Sequence, residues 1–346
     1  MNKDQLDVIK NRQGFIAALD QSGGSTPKAL LNYGIDDSMY SNETEMFNLI
    51  HQMRTRIITS DAFTSQHILG AILFEATMHE AIDGLFTADY LWDRKKIVPF
   101  LKIDKGLEER AHGVALMKDM PHLHESLQSA QDQNIFGTKM RSVIYEHIDK
   151  GIIDLVNQQF EMGKIILDHN LVPIIEPEVD IHASNKGAIE VTLKEEILKH
   201  LDGLAENQYV MLKLTPPDEN DFYLDLVNHP KVLRVVFLSG GYSQKRANDF
   251  LALNHGAIAS FSRALTQDLR YDQSDLTFNI KLNSTGKLPF ETKIRAIKLG
   301  TRELEFTASY SPSEPKPPLS NVVYTIEVKL DKNYLNTLPN SYSRAL

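Results

Sequence analysis

QYVMLKLTPP, residues 208–217, is an apolar run of strand length with a single lysine, Lys213, near its C-terminal end; Pro216 and Pro217 stop it sharply. A lysine in such a run puts its ammonium into the interior or a cleft, or snorkels to the surface. Burial disfavours the charged form, and a neutral amine in a dry site is a nucleophile towards carbonyls. Whether Lys213 is incidental or reactive therefore depends on what the rest of the chain builds around it.

Seven more runs of the same kind occur: GFIAALD (14–20), ILGAILF (68–74), VPFLKID (98–104), NIFGTKMR (134–141), VPIIEPE (172–178), VLRVVFLS (232–239) and AIASFSR (257–263). With YVMLKLT (209–215) they make eight. Each is almost continuously apolar, the pattern of parallel strands covered on both faces. Helical patterns separate them. Thr26-Pro27 reads as a cap followed by a first-turn proline, leading into KALLNY and closing at Gly34. Asn42 and Glu45 form a capping pair that opens a helix with Met46, Leu49, Ile50, Met53 and Ile57 on its apolar face. Residues 154–169, 194–204 and 243–253 also read as helices. Eight strands alternating with helices over about 265 residues predict an α/β fold of the (β/α)8 TIM-barrel type. The alternative, an open doubly wound sheet, lacks a G-x-G-x-x-G after its first strand.

Most of these strands end in polar or charged residues: Asp20, Lys102 and Asp104, Lys139 and Arg141, Glu176 and Glu178, Lys213, Ser239, and Arg263. The C-terminal ends of the strands form the active-site face of such a barrel. Side chains at i and i+2 of a strand share a face, so Lys139 goes with Arg141 and Glu176 with Glu178. Lysines interleaved with carboxylates suit Schiff-base chemistry. The protonated imine withdraws electrons so that a neighbouring carbon–carbon bond can break, with one group expelling water and another taking the hydroxyl proton. Glu176 and Asp20 are the residue types for those tasks. Ser239-Gly240-Gly241, between the seventh strand and a helix, reads as an anion-binding loop, and Arg263 closes the eighth strand. DQSGGS (20–25) reads as a second anion loop across the barrel mouth.

Composition narrows the function classes. The chain has 346 residues and a net charge of −9, which leaves no general basic surface for nucleic acid. None of its 12 histidines stands in an H-x-x-x-H or H-E-x-x-H pattern, so no metal site and no cofactor is expected. Absence of cysteine fits a reducing compartment. The polar start MNKDQLDVIKNRQ is unlike a signal peptide, and no apolar run approaches the length of a membrane span. A cytoplasmic protein is expected, with small molecules rather than nucleic acid or membrane as partners, and assembly of identical copies is allowed for.

GFIAALDQSGGSTPKAL, ILGAILFE, VPFLKIDKG, GTKMRS, LVPIIEPEV, VMLKLT, VVFLSGGYS and SFSRAL, in this order, resemble the class I (Schiff-base) fructose-bisphosphate aldolases, most closely their shorter bacterial branch. The resemblance covers roughly residues 1–282. It implies reversible cleavage of fructose 1,6-bisphosphate into two triose phosphates, with sugar phosphates as partners and no metal. By resemblance Lys213 is the Schiff-base lysine, Glu176 the acid/base for imine formation, and Asp20 the group at the C4 hydroxyl. Lys139 lies beside the carbinolamine, with Glu178 supporting that group. Ser239, Gly240, Gly241 and Arg263 hold the C1 phosphate, while Ser25, Lys102 and Arg141 line the path of the C6 phosphate. Animal members carry an arginine where this chain has Ala29. Two further readings are another Schiff-base aldolase for a different sugar phosphate, and a binding protein on the same barrel.

The expected domains are a barrel over residues 1–281 and an extension over 282–346, where the resemblance stops. The extension alternates apolar residues at Leu304, Phe306, Ala308 and Tyr310, and again at Tyr324, Ile326, Val328 and Leu330. Pro312, Pro315, Pro317 and Pro318 lie between. It reads as a β-hairpin appendage or a partly disordered extension.

Overall fold

The computed structural model describes residues 2–21, 26–260, 262, 266, 268–286, 291–299 and 302–309. Eight parallel strands follow one another around a nearly closed barrel: β1 Phe15–Leu19, β2 Ile68–Leu73, β3 Val98–Lys102, β4 Gly137–Ile144, β5 Val172–Val179, β6 Val210–Leu214, β7 Val232–Phe237 and β8 Ile258–Ala259. The main helices are α1 Lys3–Asn11, α2 Thr26–Tyr33, α3 Glu43–Thr59, α4 Leu123–Asp132, α5 Asp149–Asp168, α6 Lys186–Asp202, α7 Gln244–Ala252 and α8 Asp275–Gly286. The expected fold is the observed one.

Alternating side chains divide the apolar residues into two cores. Ile16, Leu69, Ile72, Val98, Phe100, Ile174, Met211 and Val236 fill the barrel interior, and Val8 and Ile9 of α1 join them from the N-terminal end. Arg234 fastens α1 there, donating from Nε to the Ile9 carbonyl (2.6 Å) and from Nη2 to the Arg12 carbonyl (2.8 Å). The second, larger core lies between the outward faces of the strands and the helices. The rings of Phe100 and the backbone of the next strand leave no room for a side chain at two positions. A Cβ on Gly70 would lie 2.8 Å from the Phe100 ring, and one on Gly137 would lie 2.2 Å from the Val172 carbonyl oxygen.

Several boundaries differ from expectation. Helix α5 begins at Asp149, ahead of residue 154, because Gly151 acts as a close contact and not as a breaker: its Cβ would sit 2.0 Å from the His112 carbonyl oxygen. Helix α6 begins at Lys186, ahead of residue 194, where the buried Lys186 pairs with Glu190 one turn on and with Asp218 at 2.9 Å. Strand β4 is shifted to 137–144, since Asn134 turns the chain with φ of +58°. Thr26 is already helical. Asn42 caps α3 as expected, accepting from the Glu45 amide at 2.9 Å, but the Glu45 carboxylate returns to the amide of Ser41 (2.7 Å) and not to that of Asn42.

Strand β8 has only two paired residues, and among the described residues it has no backbone ladder with β1. The helical layer closes that seam instead. The Tyr271 amide donates to the Tyr33 carbonyl (2.8 Å), and Phe278 of α8 sits edge-on to Tyr33 and beneath the guanidinium of Arg56. Arg56 also donates to the carbonyls of Tyr271 (3.0 Å) and Gln273 (2.5 Å) and pairs with Asp275 (3.0 Å). Farther on, β9 Glu291–Leu299 and β10 Arg302–Ser309 form an antiparallel hairpin. Strand β10 contains Leu304, Phe306 and Ala308, and it pairs with the stretch before it. Tyr310, the prolines at 312–318 and the second alternation at 324–330 lie outside the described residues.

Candidate active site

Five strand ends bring their charged side chains to one point at the C-terminal face of the barrel. Lys139 of β4 is at the centre. Its Nζ lies 2.7 Å from Asp20 Oδ2, which follows β1, 3.3 Å from Glu176 Oε2 of β5, and 3.8 Å from Asp104 Oδ2, which follows β3. Lys213 of β6 reaches the other oxygen of the same carboxylate, with Nζ 3.0 Å from Glu176 Oε1. Lys102, at the end of β3, pairs with Asp104 Oδ1 at 2.9 Å. Three ammonium groups therefore alternate with three carboxylates, and their charges cancel within a largely buried patch. Pairing is what makes such burial tolerable. Lys213 is thus no isolated lysine in an apolar wall, because a carboxylate stands at hydrogen-bond distance from it.

A second tier lies on the next same-face positions of β4 and β5. Arg141 Nε donates to Glu178 Oε2 at 2.5 Å, and the pair is more open to solvent than the inner tier. Residues i and i+2 of adjacent strands stack two pairs in this way. Glu178 consequently engages Arg141 and not Lys139, one layer farther out than the resemblance implies.

The charges shift one another. Burial acts to raise the Asp20 carboxyl, but Lys139, Lys213 and Lys102 outweigh it and hold the group well below the usual carboxylate range. Burial likewise opposes the charge on Lys139, yet Asp20, Glu176 and Asp104 hold its ammonium above the usual lysine range. Burial also disfavours the Arg141 charge, and Glu178 reverses the balance and raises it.

Local architecture aims these groups. The β5–β6 ladder pairs Ile174 with Met211 and Ile175 with Leu212. Farther along, the Thr215 hydroxyl bridges the gap, accepting from the Val179 amide (2.9 Å) and donating to the Val179 carbonyl (2.8 Å). Pro177, between Glu176 and Glu178, has no amide to donate. From the helical layer, buried Gln159 of α5 accepts from the Glu176 amide (3.3 Å) and donates to Ser142 Oγ (2.5 Å).

Across the mouth, Ser239, Gly240 and Gly241 follow β7 and lead to α7, which Ser243 caps by accepting from the Arg246 amide. Gly240 (φ +57°) and Gly241 (φ +107°) take backbone conformations that favour glycine. A Cβ on Gly240 would lie 2.9 Å from Ile181. Successive backbone groups at a helix N-terminus suit an anion. Ser25 and Arg263 lie outside the described residues.

Three members of the surroundings were absent from the expected set. Asp104 stood among the charged strand ends but carried no role. Arg54 and Gln159 lie on the buried faces of α3 and α5, where a polar residue within an apolar stripe was the available signal.

Comparison with known proteins identifies the family. The family model described as fructose-bisphosphate aldolase class-I matches residues 3–214. A protein of Clostridium acetobutylicum named fructose-bisphosphate aldolase class 1 is 57% identical over 294 residues, covering 85% of this chain and all of the relative. One of Porphyromonas gingivalis with the same name is 53% identical over 295 residues, with the same shares covered. Among solved structures, the fructose-bisphosphate aldolase of Plasmodium falciparum superposes with a TM-score of 0.62 at 19% identity, covering 82% of this chain and 92% of that one, a likeness of fold. The family match spans the stretch of chain that contains Asp20 and Lys213, and the two bacterial relatives align along their whole length. The chain belongs to the class I fructose-bisphosphate aldolase family.

Proposed function

We propose that this protein catalyses the reversible aldol cleavage of fructose 1,6-bisphosphate to dihydroxyacetone phosphate and glyceraldehyde 3-phosphate, in the cytoplasm, through a Schiff base on Lys213. The observation that carries the reading is the continuous buried chain Lys213–Glu176–Lys139–Asp20, with spacings of 3.0, 3.3 and 2.7 Å.

The Lys213 ammonium passes one proton to Glu176, and the freed amine attacks the C2 carbonyl. Glu176 then returns that proton to the carbinolamine hydroxyl, which leaves as water and yields the protonated imine. Asp20, kept ionised by its lysines, takes the C4 hydroxyl proton. The C3–C4 electron pair flows into the imine, and glyceraldehyde 3-phosphate departs. A proton returned to C3 restores the imine, and hydrolysis releases dihydroxyacetone phosphate and Lys213. Lys139 stabilises the charge on both carboxylates in the resting site. Ser239, Gly240, Gly241 and Arg263 hold one phosphate, while Ser25, Lys102 and Arg141 line the approach of the other. Glu178 orients Arg141.

Incubation with dihydroxyacetone phosphate, borohydride reduction and peptide mapping test this directly. A stable adduct on Lys213 is expected, and Lys213→Met should lose both adduct and turnover. An adduct on another residue, or none, overturns the reading.

A further inference from the structure

Arg54 is the largest of the fully buried side chains, with 0% exposure, on the face of α3 that packs towards the barrel. Its Nη2 donates to the backbone carbonyl of Gln21 at 2.5 Å, and its Nη1 to Thr77 Oγ1, also at 2.5 Å. Its Nε has no hydrogen-bond partner among the described residues, and it takes part in no ion pair among them. Burial lowers it to about 10, with Asp20 acting in the opposite direction, so it remains charged at neutral pH. A buried cation without a carboxylate of its own is costly, and its field acts on neighbouring anions.

One such anion is Asp20, whose charge acts on Arg54 and which directly precedes the residue whose carbonyl Arg54 grips. The Gln21 side chain carries the same anchorage across the barrel seam, with Nε2 2.5 Å from Ser262 Oγ. In the resting site Asp20 is held by Lys139 at 2.7 Å. A substrate hydroxyl entering between them must loosen that contact, which would leave a buried carboxylate without its nearest cation.

We propose that Arg54 is a positioning residue for Asp20. It clamps the chain just past β1 through the Gln21 carbonyl, and it supplies a fixed positive charge behind Asp20 while Lys139 turns to substrate. The proposal rests on the reading of Asp20 as the group at the bond that breaks. Arg54 touches no substrate, so it should govern cleavage and not imine formation.

The test compares Arg54→Met and Arg54→Lys in the full chain, with two readouts. Steady-state cleavage of fructose 1,6-bisphosphate should fall about 100-fold in kcat for Arg54→Met, the scale expected when a reacting group shifts by about 1 Å. Borohydride trapping of dihydroxyacetone phosphate on Lys213 should keep its wild-type extent. Arg54→Lys should recover most of the loss, and the acid limb of the kcat profile should move to higher pH in Arg54→Met. Equal loss of trapping and cleavage, or no loss of either, overturns the proposal. If Arg54→Met does not fold, Thr77→Val decides: it leaves the charge but frees one arm of the guanidinium. Cleavage should then fall several-fold with trapping intact, and an unchanged ratio overturns the proposal. Asp20→Asn separates the two readings. If that variant still cleaves, the assignment of Asp20 fails; if it does not and Arg54→Met is unaffected, only the role of Arg54 fails.

Discussion

At the scale of single residues, the inner site is a problem in charge compensation. Asp20 is held below the usual carboxylate range, so the folded protein keeps its negative charge at a pH where the unfolded chain would be protonated. Its contribution to stability is therefore fully present above the unfolded value of about 4 and is lost as pH falls through the lower folded value. The stability difference between wild type and Asp20→Asn should stay level from neutral pH to about 5 and shrink below about 4, as urea melts across a pH series would read. Gln159 poses the complementary case, a neutral group whose removal strands its partners. Gln159→Leu keeps the volume but leaves the Glu176 amide and Ser142 hydroxyl without this partner. A loss of about 3 kcal/mol in chemical denaturation is expected, together with slower cleavage as Glu176 loses its anchor.

At the scale of elements, the barrel depends on where side chains are missing as much as on where they pack. Phe100 leans over both Gly70 and Gly137, and the Val172 carbonyl crosses directly above Gly137. Gly137 is two residues before Lys139, so strand position there sets the position of the central ammonium. Gly137→Ala should force β4 and β5 apart. A loss of about 3 kcal/mol is expected, at the upper end for overpacking because the obstructing atom is backbone, and thermal melts would measure it. The eight strands, their order and most of their polar ends could be read from the chain because buried parallel strands are continuous apolar runs. Helix starts were harder. Gly151 and Gly187 have the composition of breakers, yet one is a close contact and the other has open space around it.

At the scale of the whole molecule, closure is the feature least visible in advance. Among the described residues strand β8 makes no ladder with β1, and the first and last units are joined through Arg56, Tyr33, Tyr271 and Phe278. Helix α8 runs through residue 281, where the family resemblance gives out, and its Phe278 and Leu282 are buried. Arg56→Ala should remove several charge-assisted hydrogen bonds to the 271–275 segment. The expected effects are a loss of about 2 kcal/mol and faster proteolytic cutting between Arg270 and α8, scored by limited proteolysis against wild type.

The amino-acid sequence by itself determined the class of fold, the strand on which Lys213 sits and the residue types at the strand ends. Those follow from local periodicity and from the alternation of side chains along a strand, which need no knowledge of distant neighbours. Only the tertiary structure decided who pairs with whom. Glu176 serves both Lys139 and Lys213, Glu178 turns outward to Arg141, and Asp104, marked locally only as a charged strand end, joins the cluster. Arg54 and Gln159 are linked to the site from helices many residues away in the chain. The reason is physical: a buried charge is stabilised by whatever the fold brings within a few ångströms, and that set is fixed by packing across strands rather than by order along the chain.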